Sequence, residues 1–448
     1  MTKHTNPASV TRNTNKPILI VGGGFGGMRV ARLLSKRRKE LGHPILLIDK
    51  HRHHVYTPLL YEVASGCTTG AEMELSLIRG ATFRFGEVMR SCCEIASAQG
   101  TVTGVDATRQ EARLADGSVL AYGALVLALG SETDFFGIPG LRERAVTLKT
   151  RQDALDIRRR VEALMAPKRN GRKNGTIRLV VGGGGATGTE FAAEMACCFR
   201  SMVRRGALKR DAWEVTLVEA TNRLLGMLKP ELSAFAKRRL ERLGVRVMLD
   251  TCFKGVEDGT VVITPRPLKP GESAGALVCD LRPGSEKRLP ADCIVWTGGV
   301  RGPSVLKSFN LPLDPKDRVI VDSSMRVKGR RNLYAVGDCA SLTDPKTGRP
   351  VPSLAQAATR EADVAAANIL ADEGLAKTRR AYDFPSFHTV VPLGGKYALA
   401  CIGRVTITGF LGWVVRRLAD LRYFVTALPV RYALHAYIRG AWLYVKND

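Results

Sequence analysis

The chain has 448 residues, 45% hydrophobic and 25% charged; these are the proportions of a folded globular protein with room for two or three full cores, so disorder is excluded except at the start. Its 68 Lys+Arg against 42 Asp+Glu leave a net charge of +26, which favours contact with an anionic surface, lipid or nucleic acid, the other reading being a basic enzyme whose charges are solvated. Nowhere are there 18 uninterrupted apolar residues, so no bilayer-spanning helix is expected.

Residues 1–16 are polar, without the apolar core of a signal peptide, and Lys3 and Arg12 are too sparse for a transit peptide, so the protein is expected on the cytosolic side. The first structured signal is the β-branched run Ile18 to Val21, which turns through Gly22, Gly23, Gly24, Gly26 and Gly27 into a helix; the next apolar run, Ile45 to Asp49, closes on an acid. Such a strand–glycine–helix unit aims free N–H groups and a positive dipole end at a pyrophosphate, with the acid at a ribose hydroxyl. A polar and aromatic loop follows from His51 to Gly70, whose His53 and His54 read as packing or hydrogen-bonding groups; without a third ligand, no metal is expected. The run Tyr122 to Gly130 reads as a buried strand ending in glycine. Thr150-Arg-Gln-Asp153 reads as a capping box opening a helix that ends at Pro167.

A second fingerprint of the same kind begins at Ile177, with Gly183, Gly185 and Gly188, and Glu219 closes its following strand. One such motif is weak evidence, but two, each with strand, helix and distal acid, imply two adenine dinucleotides on one polypeptide. Leu232 to Leu243 has helical spacing, Val245 to Leu249 reads as a strand, residues 265–290 are a Pro/Gly-rich excursion, and Ile294 to Gly298 closes this unit. Asn332 to Asp338 is a strand ending in Gly337-Asp338, which belongs with the first unit if the second is an insertion. The expected fold is α/β, with two Rossmann-like dinucleotide-binding domains, the second inserted in the first. The expected boundaries are 17–149 with 305–390 for the split domain, 150–304 for the inserted one, and 391–448 for a C-terminal amphipathic membrane-surface segment. In that segment Leu411, Val414, Leu418, Leu421, Val425 and Leu428 form a helical stripe from which Arg416, Arg417 and Asp420 fall away. Arg431, His435 and Arg439 make a second line, with Tyr432, Tyr437, Trp442 and Tyr444 nearby, as suits a helix lying in a membrane surface. The alternative is a terminal helix pair packed on the body or on a second subunit, which leaves a homodimer open. The ten cysteines include no CxxC and read as thiols of a reducing compartment.

Taken together, Gly22 to Gly27, Asp49, the His53 to Ala64 loop, Gly183 to Glu190, Ile294 to Val300, Gly337-Asp338 and Ala355-Gln356-Ala-Ala358 resemble the type II NADH:quinone oxidoreductases, single-subunit, non-pumping respiratory dehydrogenases. The resemblance covers nearly the whole chain from Lys16. It implies that Gly22, Gly24, Gly27, Asp49, Gly130, Gly337, Asp338 and Ala355 hold FAD, and that Gly183, Gly185, Gly188, Glu219 and Gly298 hold NADH. It places Gln356 by the isoalloxazine and the quinone, and gives Glu190, with Lys396 as partner, a role in proton relay; a structural ion pair is the other reading of those two. A membrane quinone, an anionic lipid surface and a peripheral position on the cytoplasmic side of the cell membrane are the implied partners and location. The chain departs from the pattern at Arg360, where the family commonly has glutamine, and at Leu129, within the usual Ala-Thr-Gly strand end.

Other functions stay open. A disulfide reductase needs paired cysteines after Asp49, which are absent, while Cys197, Cys198 and Cys401 keep a sulfide:quinone enzyme in view. A protein acceptor, as in ferredoxin or rubredoxin reductases, leaves the amphipathic tail unexplained. A non-catalytic NADH sensor binding nucleic acid would use the charge of +26 but neither the tail nor the Gly-Asp strand, so no nucleic-acid partner is expected.

Overall fold

The computed structural model describes residues 16–66, 80–86, 88, 95–169, 175–265, 286–383, 388–428, 433–434 and 437–438. In chain order, the elements that position the site are β1 (Ile18–Val21), α1 (Phe25–Ser35), β2 (Ile45–Asp49), α2 (Leu60–Ser65), β3 (Ala96–Gln99), β4 (Ala124–Leu127), β5 (Val146–Thr147) and α3 (Arg151–Arg169). They continue with β6 (Ile177–Gly182), α4 (Ala186–Arg204), β7 (Trp213–Val218), α5 (Pro230–Leu243), β8 (Val245–Met248), β9 (Cys293–Trp296) and β10 (Leu333–Ala335). The last are α6 (Ala355–Asp372), β11 (Thr389–Pro392), β12 (Ala398–Ile402), β13 (Val405–Gly409) and α7 (Phe410–Ala427). The chain forms two compact units, one of Met1–His54, Arg84–Ser131 and Arg301–Phe384, the other of Val55–Phe83, Glu132–Val300 and Pro385–Asp448.

In the first unit the strands run in the order β10-β4-β1-β2-β3, all parallel. Ile18, Leu19, Ile20 and Val21 are all buried, which is why β1 reads as an unbroken apolar run rather than an alternating one: helices cover both faces of a parallel sheet. Each such side chain contributes about 1.5–3 kcal/mol. Gly26 lets α1 lie against β10 and α6, since a Cβ there would stand 2.8 Å from Val336 Cγ2. The Leu333–Ala335 strand pairs with β4 in this sheet, so the Gly-Asp segment is returned to the first unit across the whole insertion.

The second unit repeats the plan, with parallel strands in the order β5-β9-β6-β7-β8. α3 opens with the reciprocal capping box: the Asp153 N–H donates to Thr150 Oγ1 at 3.1 Å, and the Thr150 N–H donates back to Asp153 Oδ2 at 3.1 Å. The helix does not stop at Pro167 as expected but runs to Arg169. Proline removes one N–H from the ladder, and in a last turn that leaves the preceding bonds intact. β11, β12 and β13 form an antiparallel sheet, and α7 crosses it where Gly412 sits so close to the Ala398 carbonyl that a Cβ would overlap it. Among the described residues two cysteines depart from the free-thiol reading: Cys198 and Cys252, both buried, are disulfide-bonded, whereas Cys293, Cys339 and Cys401 are free thiols. Cys67, Cys92, Cys93 and Cys279, the 265–290 excursion for the most part, and Arg431, Tyr432, His435, Arg439, Trp442 and Tyr444 lie outside the described residues. Among the described residues no helix is long and apolar enough to cross a membrane.

Candidate active site

Both glycine fingerprints fold into the same cradle at the carboxyl end of a parallel sheet. Gly22 and Gly183 turn the chain with φ of +106° and +103°, in the left-handed half of the map that side chains with a Cβ avoid. A Cβ on Gly27 would overlap the Gly22 carbonyl oxygen, and one on Gly188 would overlap that of Gly183. Gly24 and Gly185 stand at the helix starts with open space above them, and neither first turn carries an acid. The first N–H groups of each helix, which have no intrahelical acceptor, face that space with the positive dipole end behind them. A pyrophosphate fits such a cradle and a side chain does not, so the residues present suit a dinucleotide in each unit.

The two acids are placed alike. Asp49 accepts the Gly23 N–H at 2.6 Å and the His51 N–H at 2.7 Å; Glu219 accepts the Gly184 N–H at 2.5 Å and the Thr221 N–H at 2.8 Å. Each carboxylate is thereby held beside its glycine turn, at the second strand's end, where a ribose would lie. Thr297 Oγ1 donates to the Gly182 carbonyl at 2.9 Å, and Gly298 packs against Gly183, so the end of β9 closes the second cradle. His54 is buried, with Nδ1 2.9 Å from the Gly23 carbonyl and its ring edge-on to Phe25. Burial pushes its pKa down to about 4, so at neutral pH it is an uncharged packing group.

On the far side of the first cradle, β4 ends at Leu127, short of Gly130 (φ +71°), and β10 ends at Ala335, short of Gly337 (φ +76°). Ser131 Oγ donates to Asp338 Oδ2 at 2.7 Å, and the Gly337 N–H donates to Glu361 Oε2 at 2.5 Å. Asp338 does not begin a helix. It lies in a single 3₁₀ turn, Gly337–Cys339, and the helix α6 starts only at Ala355, with Gln356 exposed in its first turn. Glu361, buried beneath that turn, has its pKa raised to about 8 by burial, against the Gly337 N–H that favours its charge.

Glu190 lies on α4, beyond Gly188, in a cluster that only the fold assembles. It is partly open to solvent yet ringed by protein. Burial raises its pKa to about 8; Arg416 opposes the rise, and Glu62 and Asp420 add to it. Helix α2 packs on α3 and α4 and brings Tyr61 and Glu62, whose side chains bond at 2.7 Å. From α7, Arg416 Nη1 reaches Asp420 Oδ1 at 3.0 Å and Arg417 Nη1 reaches Asp420 Oδ2 at 3.4 Å. Tyr56 donates to Asp420 at 2.7 Å, and Arg416 Nη2 donates to the Pro58 carbonyl at 2.9 Å. Lys396 is exposed on the turn after β11. That turn is laid on α4 by the Gly395 N–H donating to Glu194 at 3.0 Å and held from α5 by Arg239, which donates to the Leu393 carbonyl at 3.2 Å and sits over the Tyr397 ring.

Sequence reasoning missed Tyr56, Tyr61, Glu62, Glu194 and Glu361, and it misjudged α7. Arg416 and Arg417 do not point away from the body as a polar face would: Arg417 and Asp420 are buried, along with Phe424 and Leu428. The exposed face is the apolar one, with Phe410 57%, Leu411 66%, Leu418 56% and Val425 40% exposed. The inner stripe runs Arg417-Asp420-Phe424, as helical as the leucine stripe beside it, and Leu428, expected on that leucine stripe, is buried just past the helix end. Its signal was an acid three and four residues after two arginines inside an apolar run.

The profile of the family described as pyridine nucleotide-disulphide oxidoreductase matches residues 16–362. A type II NADH:quinone oxidoreductase of Haemophilus influenzae is 28% identical over 377 residues, 80% of each chain. The structure of NDH2 from Plasmodium falciparum in complex with NADH matches with a TM-score of 0.78 at 18% identity, covering 95% of this chain and 97% of that one. The sulfide:quinone oxidoreductase of Aquifex aeolicus matches with a TM-score of 0.73 at 19% identity, covering 93% and 92%. These two likenesses are of fold, and the fold is the α/β one with parallel sheets.

Proposed function

The chain belongs to the pyridine nucleotide-disulphide oxidoreductase family, and on that premise we propose that it oxidises NADH and reduces a membrane quinone by way of FAD, without moving protons across the bilayer. It is an oxidoreductase, and its cofactors are FAD and NADH. The observation that carries the reading is the doubled cradle: two glycine turns of one geometry, each with a carboxylate bonded to its second glycine. A flavin accepts hydride from nicotinamide and hands electrons on singly or in pairs. The protein's own task is to hold, orient and supply protons.

In this reading Gly22, Gly24, Gly27, Asp49, Gly130, Gly337, Asp338 and Ala355 hold FAD in the split domain, and Gly183, Gly185, Gly188, Glu219 and Gly298 hold NADH in the inserted one. Gln356 lies by the isoalloxazine and the quinone. Converting a quinone to a quinol takes up two protons, so an acid that keeps its proton at neutral pH is chemically useful. Glu190, with its pKa near 8, is protonated below that pH and loses its proton as the pH rises through it; Lys396 is its exposed partner.

The purified protein should be yellow, bleach with NADH and regain colour with a soluble quinone analogue; failure to bleach overturns the reading. NADPH should do worse by at least about tenfold in kcat/KM, roughly 1.4 kcal/mol. A 2′-phosphate beside the Glu219 carboxylate meets like charge. Equal kcat/KM for the two nucleotides would remove Glu219 from the ribose site.

The protein's place, in this reading, is the cytoplasmic face of the membrane, held there by the exposed face of α7. Contiguous exposed apolar side chains on a helix mark an interaction surface, and each leucine moved into lipid is worth about 1.5–3 kcal/mol. Replacing Leu411, Leu418 and Val425 together by serine should therefore release the protein from liposomes and lower turnover of lipid-embedded quinone, while NADH oxidation with a water-soluble acceptor persists. This variant is a cleaner test than truncating the tail, which would also remove Arg416 and Asp420. Sedimentation equal to that of the parent would assign the face to packing against a second copy of the chain.

A further inference from the structure

Helix α7 turns Arg416, Arg417 and Asp420 inward, and Arg416 and Asp420 act on the charge of Glu190. Arg416 is held by Asp420 at 3.0 Å and by the Pro58 carbonyl at 2.9 Å, so its guanidinium has a fixed position inside the second unit. Asp420 is 1% exposed and is shared between both arginines and the Tyr56 hydroxyl. Ringing Glu190 are Tyr61 and Glu62 from α2, Glu194 one turn along α4, and Arg416 and Asp420 from α7. Of the groups named, the carboxyls Glu62, Glu190, Glu194 and Asp420 outnumber the guanidiniums Arg416 and Arg417. With all of them ionised the cluster would carry an excess negative charge in a desolvated place, so it retains a proton.

Resting on the reading of Glu190 as the proton donor to quinone, we propose that α7 belongs to the acceptor half-reaction and is more than an anchor: Arg416 and Asp420 are positioning residues whose charges govern proton uptake at Glu190. One helix thus presents its apolar face outward and, on its inner face, supplies the counter-charge for the acid. Arg416 favours the ionised form of Glu190, and Asp420 and Glu62 oppose it. Burial works against the charge of Arg416, but Asp420, Tyr56, Tyr61 and Glu190 outweigh it and keep the guanidinium firmly charged. The group on α7 is therefore a fixed charge, and the group on α4 is the one that titrates.

The test uses the full-length holoenzyme and opposite-signed substitutions. The protonated-carboxyl stretching band in infrared difference spectra, assigned by its loss in Glu190→Gln, is followed against pH together with turnover of a soluble quinone analogue. Arg416→Met should move the midpoint of the band up by about one pH unit and Asp420→Asn should move it down, because a nearby opposite charge lowers a carboxyl's pKa and a like charge raises it. Arg416→Lys, which keeps the charge, should leave it in place. The alkaline limb of quinone turnover should follow the band in each variant, while the rate of flavin reduction by NADH stays at the parent value. If Arg416→Met proves poorly folded, Asp420→Asn and the Arg416→Met/Asp420→Asn pair carry the test, the pair returning the midpoint toward that of the parent. Midpoints that do not move, in variants whose parent shows the Glu190 band, overturn the role of α7 alone. Full quinone turnover in Glu190→Gln instead overturns the proton-donor reading on which that role rests.

Discussion

Glu190→Gln should reduce quinone turnover by about 10²-fold or more, the typical worth of a positioned proton donor, and leave the reduction of flavin by NADH near its normal rate. Glutamine keeps the shape and the hydrogen-bonding capacity of the side chain but cannot titrate. The fold should survive the change, because Glu190 already retains its proton below a pH of about 8, so a neutral side chain is what the cluster holds at pH 7. The parent's quinone turnover should fall as the pH rises through about 8, the direction expected when the acid loses its proton, and the variant should lack that limb. Stopped-flow absorbance of the flavin separates the two half-reactions. Loss of the NADH step in place of the quinone step would assign Glu190 to nicotinamide binding.

Asp338→Ala should yield largely colourless protein. Asp338 sits in the 3₁₀ turn between β10 and the segment leading to α6, bonded to Ser131 at 2.7 Å, and in the proposed site it lies against the ribityl or pyrophosphate region of FAD and accepts from a ribityl hydroxyl. A hydrogen bond to a charged group contributes about 1.5–3 kcal/mol, so FAD affinity should drop about 10- to 100-fold. FAD stoichiometry after purification measures this, with far-ultraviolet circular dichroism showing that the apoprotein remains folded. Asp338→Asn, which keeps an acceptor oxygen, should retain more flavin than the alanine variant. Full stoichiometry in Asp338→Ala would place the flavin's acidic contact elsewhere.

The cradles were legible because their causes are local. Gly22 and Gly183 are demanded by positive φ, Gly27 and Gly188 by close backbone approach, and the two acids by the end of the next strand; all fall within one βαβ unit. The Thr150–Asp153 cap is likewise written in four consecutive residues. The acid cluster was not legible for the opposite reason. Tyr56 meets Asp420 across 364 residues of sequence, and nothing near either residue states that pairing. Glu361 was hidden in the same way, as one acid on a helix of ordinary composition until the fold set it under the Gly337 N–H.

The tail shows how the two kinds of information divide. From the sequence alone came an amphipathic helix with an apolar stripe, because a 3.6-residue period needs only the order of side chains. Which face is covered depends on what the rest of the chain presents to it. α2 and the Tyr56–Pro58 segment supply a phenol, a carbonyl and an acid, so Arg416, Arg417 and Asp420 find partners inside, and Leu411 and Leu418 are left outside. Sequence by itself determined the α/β class, the two dinucleotide cradles and the helical period of the tail. Tertiary structure decided the inward turn of Arg416, Arg417 and Asp420, because burying an ion pair is tolerated only where distant residues supply it with partners.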